Sequence, residues 1–412
     1  MDEIYRMLSL DRFPIFWEKP KDPFRFVVEE ITRDYHVLER DKPYTRPDTG
    51  SPESRTYHLH FVLQKVNWGT VDVLRAITKR LRIGKKRFSY GGTKDRHGLT
   101  VQECSLFAVR KEELSHAVSG LRDVKLLGMW YEPDKIRLGD IKGNRFTIGL
   151  EHEVSDRLVD RLNESDTGLR VLNYYGEQRF GSSRRNTHII GYHMLKQRYD
   201  LAVFEYLTGE VGEVNPVAKE FRKMAREVIG KGDLKEGDWN RLLSICPKHL
   251  RYERIILSHL SQPTRYRDYV NAIRKLPRGI SLMFIHALQS WIFNEELYRR
   301  EKDNEMYPLP RERGCGTDRF GFPDPETSGE IPMINVVGYD SMLNRYEKEI
   351  LDEIGIEQEY FKLPSMPELS SRGTQRPGYL MLRDVSLLDE NWIRFSLPSG
   401  GYATTVMNQL GL

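Results

Sequence analysis

The chain has 412 residues, which at about 100–200 residues per domain suggests two or three domains. Hydrophobic residues make up 39% and mean hydropathy is −0.58, enough for a core, with no run near the ~20 apolar residues of a membrane span. Lysine and arginine number 64 against 60 acidic residues, so a net charge of +4 and a pI near 8.7 permit nucleic-acid binding without requiring it.

Met1-Asp-Glu-Ile-Tyr5 shows no charged segment followed by an apolar stretch, so no secretory signal is expected and the cytoplasm is the default compartment. Ile4, Leu8 and Leu10 are spaced for a short helix that Phe13-Pro14 ends. Phe24 to Ile31 alternates as a strand with Phe24, Phe26 and Val28 on one face. Asp41 to Arg55, rich in Pro, Thr, Asp, Gly and Ser, predicts a loop. Thr56 to Lys65 predicts a strand; His58 and His60 share a face, but no third metal ligand stands at suggestive spacing. Thr70 is a plausible N-cap for a helix from Val71 to Leu81, with Val71, Leu74, Ile77 and Leu81 towards the core.

Lys79-Arg80-Leu-Arg82-Ile-Gly-Lys85-Lys86-Arg87 carries six cations in nine positions. It fits a solvated helix end or a patch that tracks phosphates. Phe88-Ser-Tyr-Gly-Gly-Thr-Lys-Asp-Arg-His-Gly98 follows, and its Gly91-Gly92 pair allows a tight turn. Asp95 stands between Lys94 and Arg96, a setting that favours an ionised carboxylate. A returning strand is predicted through Ser105–Val109, and the alternation of strands and helices reads as α+β or mixed α/β.

Gly143-Asn144-Arg-Phe146 reads on its residues as a turn entering a strand. Val171 to Gly181 interleaves Tyr174, Tyr175 and Phe180 with Arg179, and Arg184-Arg185 follows. Rings between guanidinium groups suit nucleic acid, while a core strand with a charged exit is the alternative. From about Ser183 to Pro364 amphipathic helices dominate, such as Met194–Leu207, Val217–Ile229 and Ile280–Arg300. Cations recur there, including Arg222, Arg226, Arg251, Arg254, Arg265, Arg267, Arg274 and Arg278. Pro308 to Pro332 has little claim to regular structure. Strands are predicted to open Pro377–Arg383 and Trp392–Leu397. Cys104, Cys246 and Cys315 are far apart, which argues against a disulfide scaffold and a four-cysteine zinc site. No phosphate-binding glycine motif opens a helix, so no nucleotide cofactor is expected.

Gly91-Gly-Thr-Lys-Asp-Arg96 with Thr100-Val-Gln102 resembles the catalytic signature of the TruD family of pseudouridine synthases. Phe26-x-Val28-x-Glu30-Ile31 and Asn144-x-Phe146 are similar to two further family motifs. Asn173-Tyr-Tyr-Gly-Glu-Gln-Arg-Phe-Gly181 resembles a fourth, with Tyr175 where Phe is usual. Leu397-Pro-Ser-Gly-Gly-Tyr-Ala-Thr404 is similar to the family's terminal turn, although Gly401 and Asn408-Gln409 depart from it.

The resemblance implies an α+β catalytic domain with a mixed, largely antiparallel sheet and flanking helices, interrupted by an inserted, mainly helical domain. The expected limits are 1–182 and 365–412 for the catalytic domain and 183–364 for the insert. It further implies isomerisation of a tRNA uridine, typically position 13 in the D-arm region, without metal or organic cofactor. Asp95 would be catalytic, with Phe26, Asn144, Phe146 and Arg179 binding substrate. Lys85, Lys86, Arg87, Arg184 and Arg185 would contact RNA. A monomer is expected, with no membrane partner. A catalytically silent RNA-binding protein and a base-directed glycosylase are the competing readings.

Overall fold

An eight-stranded sheet carries the Asp95 loop. Its strands are β1 (Phe26–Thr32), β2 (His58–Val66), β3 (Phe88–Tyr90), β4 (Leu99–Phe107), β5 (Val124–Glu132), β6 (Ile141–Gly149), β7 (Arg383–Asp389) and β8 (Trp392–Pro398). The order is β7-β8-β6-β1-β4-β2-β5, with β3 paired to β4. Among the described residues of this sheet only β1 and β4 run parallel; the other pairings are antiparallel. The computed structural model describes residues 2–53, 56–152, 169–181, 183–262, 268–389 and 391–412. Arg55 of the predicted loop and Arg265 and Arg267 of the recurring cations lie outside the described residues.

By packing, the chain forms two compact units. One holds Trp17–Asn173, Gly316–Thr327 and Tyr379–Leu412; the other holds Met1–Phe16, Tyr174–Cys315 and Ser328–Gly378. The first contains the large sheet. Helices α1 (Thr70–Arg80) and α2 (Lys111–Ser119) cover one face of β2, β4 and β5, where Val73, Leu74, Ile77 and Leu114 meet Leu59, Phe61, Leu63 and Leu106. Helix α3 (Ala403–Leu410) covers Phe26, Val28, Phe146, Ile148 and Phe395 with Val406, Met407 and Leu410. Alternate residues of each strand thus reach a core from one face, which is the period-two pattern that made them legible.

Several expectations shift. Phe24 is not on β1: Asp22 accepts from its N–H at 3.0 Å, Pro23 begins a short 3-10 turn, and its ring is 54% exposed. The core stripe of α1 is Val73, Leu74 and Ile77, because the helix starts at Thr70 after Gly69 and leaves Val71 at the margin. Thr70 therefore does not cap it. The return strand is longer than predicted and starts at Leu99.

The second unit is mainly helical. Met194–Leu207 is not one helix but the end of Thr187–Leu195 and most of Tyr199–Thr208, split where Gln197 takes a positive φ of 57°. Pro216–Ile229 is capped by Asn215, whose Oδ1 accepts from Val217 and Ala218 N–H, both at 3.0 Å. Arg278–Lys302 runs for 25 residues through the middle of the unit's apolar residues. The Pro308–Pro332 stretch is more regular than predicted: Gly314–Thr317 and Pro323–Ser328 are strands, and Gly314 and Cys315 pair with Ile331–Val336. Pairing within the stretch, Cys315 with Ile331 and Gly314 with Pro332, overrides the local composition there.

Candidate active site

The turn from β3 to β4 presents Asp95. Glycine is needed at its far end: Gly98 has φ of +130°, and a Cβ there would sit 2.5 Å from the Phe26 carbonyl oxygen. That close approach sets the turn against the start of β1. Beneath it, Thr70 Oγ1 accepts from Lys94 N–H at 2.8 Å and donates to Gln102 Oε1 at 2.7 Å.

Lys19 Nζ lies 2.8 Å from Asp95 Oδ1, both side chains partly exposed, and 4.5 Å from the centre of the Phe26 ring. The sequence reading missed Lys19, since Trp17-Glu-Lys-Pro20 carries neither periodicity nor a recognised motif. Lys94 does not flank Asp95 as expected. It turns inward, and its Nζ is 2.6 Å from Glu30 Oε2 with both groups buried. The two atoms are close in charge contact but not aligned as a hydrogen bond. Burial pushes the Glu30 carboxyl above its ordinary range, with Lys94 opposing the shift. Arg96 is exposed.

Three strands then place the remaining residues side by side. Val28 and Phe395 stand opposite Phe146, and Glu30 and Leu397 opposite Asn144. Phe146 stacks on Phe395 with centroids 5.6 Å apart and meets Phe26 at 6.3 Å. Phe26 and Phe146 are 1% and 5% exposed and belong to the core under α3. Asn144 lies two residues from Phe146 on β6, and its buried Oδ1 has no hydrogen-bond partner among the described residues. An unpaired buried acceptor is costly, and the N–H of a base would satisfy it.

The expected RNA contacts divide. Lys85 and Lys86 are exposed on a short turn after Gly84. Arg87 instead donates to Phe107 O at 2.9 and 2.6 Å and to Ala108 O, tying down the end of β4. Arg184 and Arg185 lie in the helical unit, as does Arg179, the expected substrate contact. Arg179 and Arg376 place guanidinium groups 5.0 and 4.3 Å from the centre of the Tyr175 ring. Arg184 is used internally: it donates to Tyr206 O at 2.6 Å and lies 3.7 Å from Glu253, and burial lowers its pKa. Arg185 donates to Glu177 Oε1 at 3.2 Å and keeps an exposed side over Phe16. His58 and His60 face oxygen acceptors of Pro133, Asp134 and Glu103.

Known proteins resemble this chain along most of its length. A Methanopyrus kandleri protein named "Probable tRNA pseudouridine synthase D" is 34% identical over 378 residues, covering 90% of this chain and 88% of that one. A protein of the same name from Methanococcus aeolicus is 28% identical over 95% of this chain and 94% of its own. The crystal structure of a Methanosarcina mazei protein designated TruD superposes with a TM-score of 0.70 at 25% identity, covering 100% of this chain and 98% of that one. The family described as tRNA pseudouridine synthase D (TruD) matches residues 18–313 and 326–410, so the chain belongs to the TruD family.

Proposed function

We propose that this protein isomerises a uridine of tRNA to pseudouridine, with Asp95 as the catalytic carboxylate. The observation that carries the reading is Asp95 itself, partly exposed on a turn fixed from below and ion-paired to Lys19 at 2.8 Å. The reaction breaks the N1–C1′ bond, turns the detached base and joins C5 to C1′. A proton leaves C5 and one is gained at N1, so the exchange is redox-neutral. Asp95 either attacks C1′ or removes a proton from the sugar, and both roles need a carboxylate oriented at the ribose. Asn144 Oδ1 accepts from the base, and the Phe26–Phe146–Phe395 row forms the apolar floor beside it. Position 13 of the D-arm region is the target that the family resemblance favours. The protein acts as a monomer in the cytoplasm.

Incubation with uridine-labelled tRNA and separation of the released and digested products tests this. The expected product is pseudouridine in the RNA, lost in Asp95→Asn while tRNA affinity is kept. Free uracil would make the protein a glycosylase, and unchanged uridine a binding protein.

A further inference from the structure

Beneath the Asp95 turn lies a lysine that the reaction as described does not use. Lys65, near the end of β2, is 0% exposed, and its Nζ donates to Trp68 O at 2.5 Å and to Asp95 O at 3.2 Å. An ammonium group taken fully out of water is costly unless its hydrogen bonds are made inside the protein. Here they go to main-chain carbonyls, one of them that of Asp95. Gln102 of β4 donates to Gly92 O at 3.4 Å, and Thr70 of α1 accepts from Lys94 N–H. Three buried side chains from three different elements thus hold successive points of one turn, and Lys65 holds the main chain of the residue that carries the carboxylate.

We propose that Lys65 is the positioning residue of the catalytic turn, its ammonium fixing the Asp95 main chain so that the carboxylate meets the ribose. This rests on Asp95 being the catalytic carboxylate. The charge of Lys65 is part of the device, because a charged donor holds a carbonyl more strongly than a neutral amine does. The groups facing it are Cys104 of β4, Asp95 and Lys94 of the turn, and the Trp68 carbonyl. Burial, with a smaller push from Lys94, brings its pKa down to about 8 against the pull of Cys104 and Asp95. Above that pH the ammonium is lost and the turn loosens.

The sign separates this effect from unfolding. Lysine's folded pKa lies below its unfolded value of about 10.4, so between the two the unfolded chain binds more protons. Lys65 therefore contributes more stability as pH rises through this window, while activity falls.

The test is single-turnover isomerisation of tRNA between about pH 6 and 10, with melting temperature and tRNA affinity measured on the same proteins. Wild type should lose rate as pH rises through about 8. Lys65→Gln keeps an N–H donor that does not titrate, so its rate should be lower and flat across that range. Lys65→Met should lose rate on the order of 10²-fold, with tRNA affinity kept within about two-fold. An alkaline limb that persists in Lys65→Gln, or a wild-type rate in Lys65→Met, overturns the proposal. If Lys65→Met fails to fold, the comparison of Lys65→Gln with wild type decides alone. Asp95→Asn serves as the control: turnover in that variant sinks the Asp95 reading, whatever the Lys65 variants do.

Discussion

Lys19 reaches Asp95 and Phe26 at once, its ammonium 2.8 Å from the carboxylate and 4.5 Å from the ring centre. One side chain thereby sets the direction of the carboxylate relative to the aromatic row. A partly exposed ion pair contributes only ~0.2–1 kcal/mol to stability. Lys19→Met should therefore barely move the melting temperature yet lower the single-turnover rate by about 10²-fold. Lys19→Arg should recover part of the loss. Equal losses of melting temperature and rate would reduce the pair to a structural one.

Asn144 and Phe146 are neighbours on β6 with opposite expectations. Phe146 is a core ring between Phe26 and Phe395, so Phe146→Ala should cost ~3–5 kcal/mol of stability and lose activity with it. Asn144→Leu removes an unpaired buried acceptor, so its stability should hold or rise while isomerisation falls. Denaturant titration and turnover on both variants check the contrast. A large stability loss in Asn144→Leu would show that its amide is structural.

The exposed part of the basic run is testable by salt. Lys85→Glu with Lys86→Glu should weaken tRNA binding and flatten its salt dependence, each lost phosphate contact taking about 0.9 from the log–log slope on duplex. Arg87→Glu should instead lower the melting temperature, since it strips donors from Phe107 and Ala108 carbonyls. An unchanged salt slope in the lysine pair would make those residues ordinary solvated charges.

In the helical unit Glu296, Glu312 and Glu347 surround Arg300 and Asn344. Arg300 Nε and Asn344 Nδ2 hold Glu296 Oε1 at 2.8 and 2.7 Å, and Asn344 N–H and Asn335 Nδ2 hold Glu347 Oε2 at 2.8 and 3.1 Å. Burial and then the charge of Glu347 push Glu296 upward, and burial pushes Glu347 upward as well. A raised folded pKa gives stability that is complete below the unfolded value of about 4.3 and is lost as pH rises through the folded value. Glu296→Gln supplies a permanent N–H, so its advantage over wild type should grow with pH by ~1.4 kcal/mol per unit until the wild-type pair has ionised. Denaturation curves at a series of pH values check this; parallel stability profiles would refute it.

Period-two alternation made the strands around Asp95 readable, and glycines with charged neighbours marked the turn itself. What the sequence hid was direction. Lys94 adjoins Asp95 in the chain but spends its charge on Glu30, whereas Lys19, 76 positions earlier, supplies the partner. Arg184 and Arg87 read as phosphate contacts because charge is visible in a sequence and burial is not. Thr70 read as a cap because its type suits one, yet its hydroxyl is taken by Gln102 and by the Lys94 N–H of the Asp95 turn. The break at Gln197 was equally hidden, since the apolar pattern continues across it.

The position of β8 also fixes an order of events in synthesis. It lies between β7 and β6, and Phe395 must reach Phe146 from about 250 residues away in the chain. Until Trp392–Pro398 has left the ribosome, β6 keeps an open edge with Phe146 and Ile148 uncovered, a surface that invites pairing with another chain. Nascent chains from which β6 has emerged but β8 has not would therefore be the aggregation-prone species, and a chaperone that shields strand edges would raise the yield of folded protein more than one that acts on helices.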